Sequence, residues 1–378
     1  MMKSFVLALC SLAVAFGAVE VVLRTTHAFN ARVSWTEKDA LIGWRFTPGR
    51  EYWCWEENDH PVSGRINALG WRDYERTRAK PAGVRRVAVL GDSYVEAFQV
   101  ELDSTLAAVA ERAAGARGGG SYQFMSFGRS GMSAAEERIV LERDVLPCAP
   151  DVVVLLFTPH NDIADASPVT APHRLRPFFA IHHDSLVLDT SFRTSRAFRF
   201  REFLNPLKQH SALISLVVDR VNAKRASDNP RVDVPDMVGP TERFTRMHTL
   251  MTAHPDSQYA ANYALHKRIV ADMARMCAQR GVVFALMSVP AVYQDERVEQ
   301  LRAVDATFDP SFFERDFSAM ADSSDFMVIP LFDRFAERSR ATGERLHWAH
   351  WNYHGHRVAG TALTGAVAGP AAGPGEAP

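Results

Sequence analysis

The sequence has few of the features that mark several common protein classes. Its four cysteines lie far apart and form no CxxC pair, so no zinc or redox motif is present. The sequence neither predicts nor excludes a disulfide at Cys54. The 43 basic and 44 acidic residues nearly cancel, so no positively charged surface indicates nucleic-acid binding. No G-x-G-x-x-G pattern follows the first predicted strand of the main domain, so a dinucleotide is not expected. The composition is that of a globular protein, and we expect no bound metal or cofactor.

Long hydrophobic runs are also scarce, apart from one at the N-terminus. Residues 5–23 are almost all apolar, with Glu20 as the one charge, and this length just spans a bilayer. We expect residues 1–30 to form an uncleaved, single-pass membrane anchor that holds the rest of the chain outside the cytoplasm. The alternative is a signal peptide cleaved near the small residues 13–15, which would give a secreted protein.

The chain after the anchor divides into three further parts. Residues 31–83 are rich in Trp, Gly, Pro and charges and predict a loop-rich lead-in, whereas residues 365–378 are a Gly, Ala and Pro tail that we expect to be disordered. Between them, residues 84–364 alternate between strand-like and helix-like segments, except in an insertion at about 164–257. The predicted strands cover 87–90, 122–127, 152–157, 282–289 and 326–332, and the predicted helices include 105–114, 134–146 and 262–279.

This alternation predicts an α/β fold with a three-layer, doubly wound parallel sheet. In such a fold the active groups gather at the carboxyl ends of the strands. Ser93, Gly128 and Asn161 each follow one of the predicted strands, and a histidine-rich stretch containing His350 lies near the C-terminus. Each residue alone has an ordinary structural explanation, such as a helix cap for Ser93 or a turn for Gly128.

Taken together, these stretches resemble the four sequence blocks of the SGNH, or GDSL-type, hydrolase superfamily, and especially its membrane-anchored bacterial members. Those members also carry a stretch similar to residues 67–72 ahead of the serine block. The family often has Gly where Pro159 or His160 stands. The four matching blocks are, in order, Gly91-Asp92-Ser93, Gly128 within residues 126–131, Asn161-Asp162, and His350 with Trp351-Asn352 and Gly355-His356.

The resemblance implies a serine esterase that works through an acyl-enzyme. Ser93 would be the nucleophile and His350 the base, because imidazole accepts a proton near neutral pH. The oxyanion would be held by the backbone N–H groups of Ser93 and Gly128 and by the side-chain amide of Asn161. The implied substrate is an O-acyl, and specifically an acetyl, ester on a carbohydrate or a similar small molecule.

The sequence departs from the family at the catalytic acid. Relatives place an Asp two or three residues before the catalytic histidine, where this chain has Trp348 and His347. A shifted register would pair Glu344 with His347. The preferred alternative is a Ser93–His350 dyad, with His350 oriented by a backbone carbonyl, by neutral His347 or by an acid from elsewhere such as Asp333.

Two other functions stay open, the first because it would use the same acyl-enzyme and the second because the acid is missing. The same site could serve an acyltransferase, or the protein could bind an ester with impaired catalysis. A metal site at His347, His350, His354 and His356 is not expected, because no carboxylates cluster with them.

Overall fold

Short runs of apolar, mostly β-branched residues form the strands, and longer amphipathic segments form the helices. The computed structural model describes residues 2–117, 120–227, 244–324 and 326–368. The strands are β1 Thr36–Asp39, β2 Gly43–Phe46, β3 Glu51–Cys54, β4 Val62–Arg65, β5 Val84–Gly91, β6 Ser121–Gly128, β7 Val152–Phe157, β8 Phe178–His182, β9 Ser185–Asp189, β10 Val283–Ser288 and β11 Met327–Ile329. The helices are α1 Met2–Thr26, α2 Ser93–Glu96, α3 Leu106–Ala116, α4 Ala134–Val140, α5 Pro159–Ala164, α6 Arg196–His210, α7 Ala212–Ser227, α8 Arg246–Thr249, α9 Ser257–Ala278, α10 Asp295–Val304, α11 Phe312–Ala321, α12 Phe332–Thr342 and α13 Tyr353–Val367.

A five-stranded parallel sheet lies at the centre of the main domain. Its strand order is β6-β5-β7-β10-β11. In chain order this is 2-1-3-4-5, the order of flavodoxin-like doubly wound folds. The connection direction reverses between β5 and β7, so a crevice opens beyond their carboxyl ends. The expected three-layer α/β fold is confirmed.

The side chains of β7 show why the sheet needs helices on both faces. All six residues of this strand are buried. Val153, Leu155 and Phe157 pack in a cluster with residues of α4, α9 and α11, whereas the alternating residues pack with those of α3, α12 and α13. A strand that is apolar at every position therefore has both faces covered, as is usual in parallel sheets.

The lead-in differs from the loop-rich segment expected from the sequence. It contains two antiparallel hairpins, β1–β2 and β3–β4. The aromatic side chains of Trp35, Phe46 and Tyr52 form a small core together with Phe98 of the main domain. Aromatic pairing between four-residue strands, rather than a long apolar run, builds this region.

The region between α5 and α9 contains the hairpin β8–β9 and helices α6, α7 and α8. At the other end of the chain, α13 reaches Val367, three residues beyond the predicted domain end, because Leu363 and Val367 pack against the sheet cluster. The rest of the predicted tail, residues 369–378, lies outside the described residues. All four cysteines are free thiols, and Cys54 is buried.

Helix α1 is long and apolar enough either to cross a membrane or to act as a signal sequence. Its side chains are almost all exposed, but Leu23 packs with Ala31 and Ala212. The carboxylate of Glu20 accepts hydrogen bonds from the backbone N–H groups of Ala212 (2.7 Å) and Leu213 (3.1 Å). The last two turns of α1 are therefore attached to the start of α7.

Candidate active site

Ser93 lies where the buried strand β5 turns into helix α2. Asp92 is the N-cap of this helix, and its side chain accepts a hydrogen bond from the backbone N–H of Tyr94 at 3.0 Å. Ser93 is the first residue of α2. The N–H groups of a first helical turn have no acceptor within the helix, so the Ser93 N–H is suited to bind an anion.

His350 contacts Ser93 although 257 residues separate them in the sequence. Its Nε2 atom lies 2.8 Å from Ser93 Oγ, a hydrogen-bond distance. A tight turn, in which the Trp348 N–H donates to the carbonyl of His350 at 2.7 Å, places the imidazole just before α13. The edge of Tyr94 packs against the imidazole ring, with 5.0 Å between the ring centroids. The expected nucleophile and base are therefore adjacent in the structure.

Glu57 completes this arrangement from the loop between β3 and β4. Its Oε1 atom forms a short hydrogen bond with His350 Nδ1. Its Oε2 atom accepts hydrogen bonds from the backbone N–H groups of Ala349 (3.0 Å) and His350 (2.7 Å). The carboxylate thus occupies the position that an acid must have to fix the imidazole tautomer and to stabilise the imidazolium.

The electrostatics of the pair fit this arrangement. Burial acts to lower the pKa of His350, but the hydrogen bond and the charge of Glu57 outweigh it and raise this pKa above the usual value. Burial likewise acts to raise the pKa of Glu57, but the hydrogen bonds from His350 and Ala349 hold it below its usual value. Glu57 is therefore an anion at neutral pH.

The loop that carries Glu57 is fixed by the next residue. The side-chain amide of Asn58 donates to the Tyr353 hydroxyl at 2.7 Å and to the Gln99 carbonyl at 3.2 Å. Tyr353 is the first residue of α13, and Gln99 follows α2. Asn58 thereby attaches the Glu57 loop to the start of α13, just after His350, and to the segment that follows α2, the helix that begins with Ser93.

Arg72, in the stretch noted upstream of the serine block, binds the C-terminal end of α2, the helix that begins with Ser93. Its guanidinium is almost fully buried and donates to the carbonyls of Glu96 (2.9 Å), Ala97 (2.9 Å) and Val100 (2.6 Å). These carbonyls lie at and beyond the C-terminus of α2, where backbone acceptors lack partners and a positive charge is favourable. Arg72 therefore fixes the position of the helix that begins with Ser93.

The two further oxyanion candidates, Gly128 and Asn161, lie at the carboxyl ends of β6 and β7, the strands on either side of β5. The Asn161 side-chain amide donates to Asp92 Oδ2 at 2.5 Å, which leaves its second N–H free for a substrate. Gly128 pairs with Gly91 at the end of the β5–β6 ladder. A Cβ at Gly128 would lie only 2.2 Å from the backbone nitrogen of Glu96, so α2 can approach β6 only over a glycine.

None of the three orienting groups suggested by the sequence contacts His350. His347 Nδ1 instead hydrogen-bonds to the Tyr293 hydroxyl at 2.6 Å, and burial lowers the pKa of His347 to about 4. Glu344 is partly exposed and pairs with Arg338 at 2.7 Å. Asp333 is exposed in the first turn of α12. The shifted register is wrong because the turn directs His350, and not His347, towards Ser93.

The four histidines of this stretch also point to different partners. His350 binds Ser93 and Glu57, and His347 binds Tyr293. His354 Nδ1 lies 3.5 Å from Glu344 Oε2, and His356 is buried beside the side-chain amide of Gln99. The residues that the structure describes contain no group of three or more potential ligands placed to hold a metal ion.

Two tryptophans of the lead-in, Trp53 and Trp55, shortly precede Glu57 in the sequence. Trp55, two residues before Glu57, is 47% exposed, and its ring packs edge-on against Trp53. The imidazole of His27, the first residue after α1, stacks on Trp53 with 4.0 Å between the ring centroids. The β3–β4 hairpin therefore contacts both the active site and the end of the apolar helix.

Glu57 and Arg72 are the two residues of the candidate site that sequence reasoning did not single out. The sequence indicated Glu57 only indirectly. The positions before His350 lack an acid, so an acid had to come from elsewhere, and the acidic pair Glu56-Glu57 lies next to tryptophans in the lead-in. Arg72 lies in a stretch already noted as distinctive, but its role depends on contacts that no spacing reveals.

Comparisons with known proteins give structural similarities only. No family model and no curated protein matches the sequence. An acetyl xylan esterase is 13% identical, with 75% of this chain and 99% of that chain covered and a TM-score of 0.41. A lipase/acylhydrolase from Enterococcus faecalis is 14% identical, with 75% and 96% covered and a TM-score of 0.36. A catalytic mutant of an acetylxylan esterase from Geobacillus stearothermophilus is 12% identical, with 76% and 94% covered and a TM-score of 0.38. Likenesses this weak carry no argument about activity.

Proposed function

We propose that the protein is a serine carboxylic ester hydrolase of the SGNH type with a Ser93-His350-Glu57 triad. The observation that carries the proposal is the continuous hydrogen-bonded line from Ser93 Oγ through both nitrogens of His350 to Glu57. A helix cap alone would not need a histidine and a buried carboxylate aligned behind the serine. The carboxylate behind His350 also favours an active hydrolase over the impaired-catalysis alternative.

The reaction follows from this geometry. His350 Nε2 takes the proton of Ser93 as Oγ attacks the ester carbonyl, and Glu57 stabilises the imidazolium that forms. The tetrahedral oxyanion is held by the N–H groups of Ser93 and Gly128 and by the free amide hydrogen of Asn161. His350 then returns the proton to the departing alcohol, which leaves an acyl group on Ser93. Water, deprotonated by His350, releases the acid and restores the serine.

The nucleophile is tested by the Ser93→Ala variant with p-nitrophenyl acetate. We expect turnover to fall by on the order of a thousandfold or more, because only oxyanion and binding effects remain. Ser191→Ala, which alters an exposed serine of the insertion, is the matched control. A fluorophosphonate should label the wild-type chain at Ser93. Undiminished turnover by a folded Ser93→Ala protein would refute the proposal.

For the substrate we propose a short O-acyl group, such as acetyl, on a carbohydrate. The exposed indole of Trp55 beside the catalytic acid offers a flat apolar face, on which the C–H groups of a sugar ring can pack. Trp55→Ala should raise KM for an acetylated oligosaccharide and leave p-nitrophenyl acetate turnover nearly unchanged. Equal effects on both esters would count against a sugar subsite.

We also propose that α1 is an uncleaved anchor and that the catalytic domain is extracytoplasmic. Cleavage near residue 15 would leave Phe16, Val19 and Val22 exposed to water on a helix still attached through Glu20. Alkaline carbonate should therefore leave the protein in the membrane pellet, and protease added to spheroplasts should digest it. Recovery of a shortened, soluble chain would indicate signal cleavage, and protection from the protease would reverse the topology.

A further inference from the structure

The junction between α6 and α7 is attached to the end of the apolar helix α1. The Arg24 guanidinium donates to the carbonyl of His210, the last residue of α6, at 2.6 Å. Glu20 accepts hydrogen bonds from the Ser211 hydroxyl at 2.8 Å and from the first backbone N–H groups of α7. Glu20 lies about 9 Å before the end of α1, at 1.5 Å per residue. The junction is therefore level with the last turns of α1.

One face of α6 packs against the rest of the protein. Phe198 and Asn205 are buried, and the Asn205 side-chain amide donates to the carbonyl of Thr36 at 3.0 Å. Gln209 donates to the same carbonyl at 2.9 Å and to the Thr47 hydroxyl at 2.9 Å. These contacts fix the rotation of α6 about its own axis, so its remaining face must point away from the domain.

That outward face carries an apolar stripe. Phe200, Phe203 and Leu207 follow helical spacing and are 60%, 68% and 43% exposed. Single exposed apolar side chains are normal on a protein surface. Two phenylalanines and a leucine aligned on one helix face form an apolar patch, and such a patch indicates contact with a protein or a membrane. Arg196 and Arg199 are exposed one turn earlier on the same face. The face therefore combines aromatic side chains with positive charge.

We propose that this outward face of α6 lies in the interfacial layer of the bilayer that α1 crosses. The inference rests on the proposed anchor, because the membrane position comes from the attachment of the α6–α7 junction to α1. An amphipathic helix with aromatic residues and a basic end binds such an interface through apolar burial and attraction to anionic lipid headgroups. The protein thus contacts the membrane through a second, monotopic surface besides its spanning helix.

The test uses the full chain with Cys10→Ala, reconstituted in liposomes of phosphatidylcholine and phosphatidylglycerol. The three remaining cysteines are buried. A nitroxide is attached at Phe203→Cys, at Val14→Cys in the middle of α1, or at Val304→Cys, an exposed apolar residue at the end of α10. Collision rates with oxygen, which concentrates in lipid, and with a water-soluble nickel chelate then report the surroundings of each label.

We expect the labels at positions 14 and 203 to favour oxygen and the label at position 304 to favour the nickel chelate. Replacing phosphatidylglycerol by phosphatidylcholine should raise nickel access at position 203 and leave position 14 unchanged. If position 203 behaves like position 304 while position 14 lies in lipid, the anchor stands and the α6 proposal is wrong. In that case the stripe is left for a protein partner or a second copy. If position 14 is open to the nickel chelate, the anchor fails and the α6 proposal fails with it.

Discussion

The carboxylate of Glu57 and the imidazole of His350 are hydrogen-bonded across 293 residues of sequence. The same carboxylate accepts both backbone N–H groups at the His350 turn, so one side chain fixes the ring and the loop that carries it. The acid of the proposed triad therefore comes from the lead-in and not from the segment that carries His350. Any change in the lead-in that moves the β3–β4 loop should be felt as a catalytic defect.

The first prediction concerns Glu57 itself. Glu57→Gln should lower kcat by about a thousandfold to ten-thousandfold, because a neutral amide neither fixes the correct tautomer nor stabilises the imidazolium. Glu344→Gln is the matched control, since Glu344 is a partly exposed acid close to His350 in sequence, and this change should have almost no effect on kcat. Activity of Glu57→Gln near the wild-type value, or a large loss in the control, would move the acid elsewhere.

The pH dependence of kcat/KM should reflect the raised pKa of His350. Only the neutral imidazole can accept the proton of Ser93, so activity is lost as the pH falls through the pKa of His350. Because Glu57 raises this pKa, the acid limb should have its midpoint above about 6.5, the ordinary value for histidine. In Glu57→Gln the midpoint should move to lower pH, because burial alone lowers the pKa. A wild-type midpoint below that ordinary value would contradict the pairing.

Asn161 should act in the transition state more than in binding. Asn161→Ala removes the side-chain donor held in place by Asp92, so we expect kcat to fall by about a hundredfold with little change in KM. Steady-state kinetics with p-nitrophenyl acetate separates the two constants. A change confined to KM would show that Asn161 only binds the substrate.

Arg72 should be needed for the stability of the fold around α2. A lysine ammonium is a compact group that cannot reach three separate carbonyls at once, so Arg72→Lys should lower the free energy of unfolding by about 2–4 kcal/mol. Arg65→Ala breaks an exposed ion pair with Glu51 and should change it by less than about 1 kcal/mol. Urea denaturation of both detergent-solubilised variants makes the comparison. Equal losses would mean that the carbonyl contacts of Arg72 contribute no more to stability than an exposed ion pair does.

The sequence was most informative where the chemistry is local. The six apolar residues of β7 predict a buried strand with its correct ends, and Ser93 and His350 follow from the patterns around them. Glu57 was not predictable, because its role arises from a contact between loops that no periodicity links. The lead-in hairpins were missed for a related reason: four-residue strands such as β3 gain their stability from the partner strand and from aromatic packing.

The stack of His27 on Trp53 limits how far the proposed active site can lie from the end of α1. His27 directly follows α1, and Glu57 is four residues beyond Trp53, a reach of at most about 14 Å even for extended chain. With α1 in a bilayer, Glu57 would lie within roughly 25 Å of the end of the span, given that reach, the stacking distance and the lengths of the two stacked side chains. Esters farther than this from the membrane would be out of reach of the proposed triad. The distance of an ester from the membrane would therefore restrict the substrates before their chemical structure does.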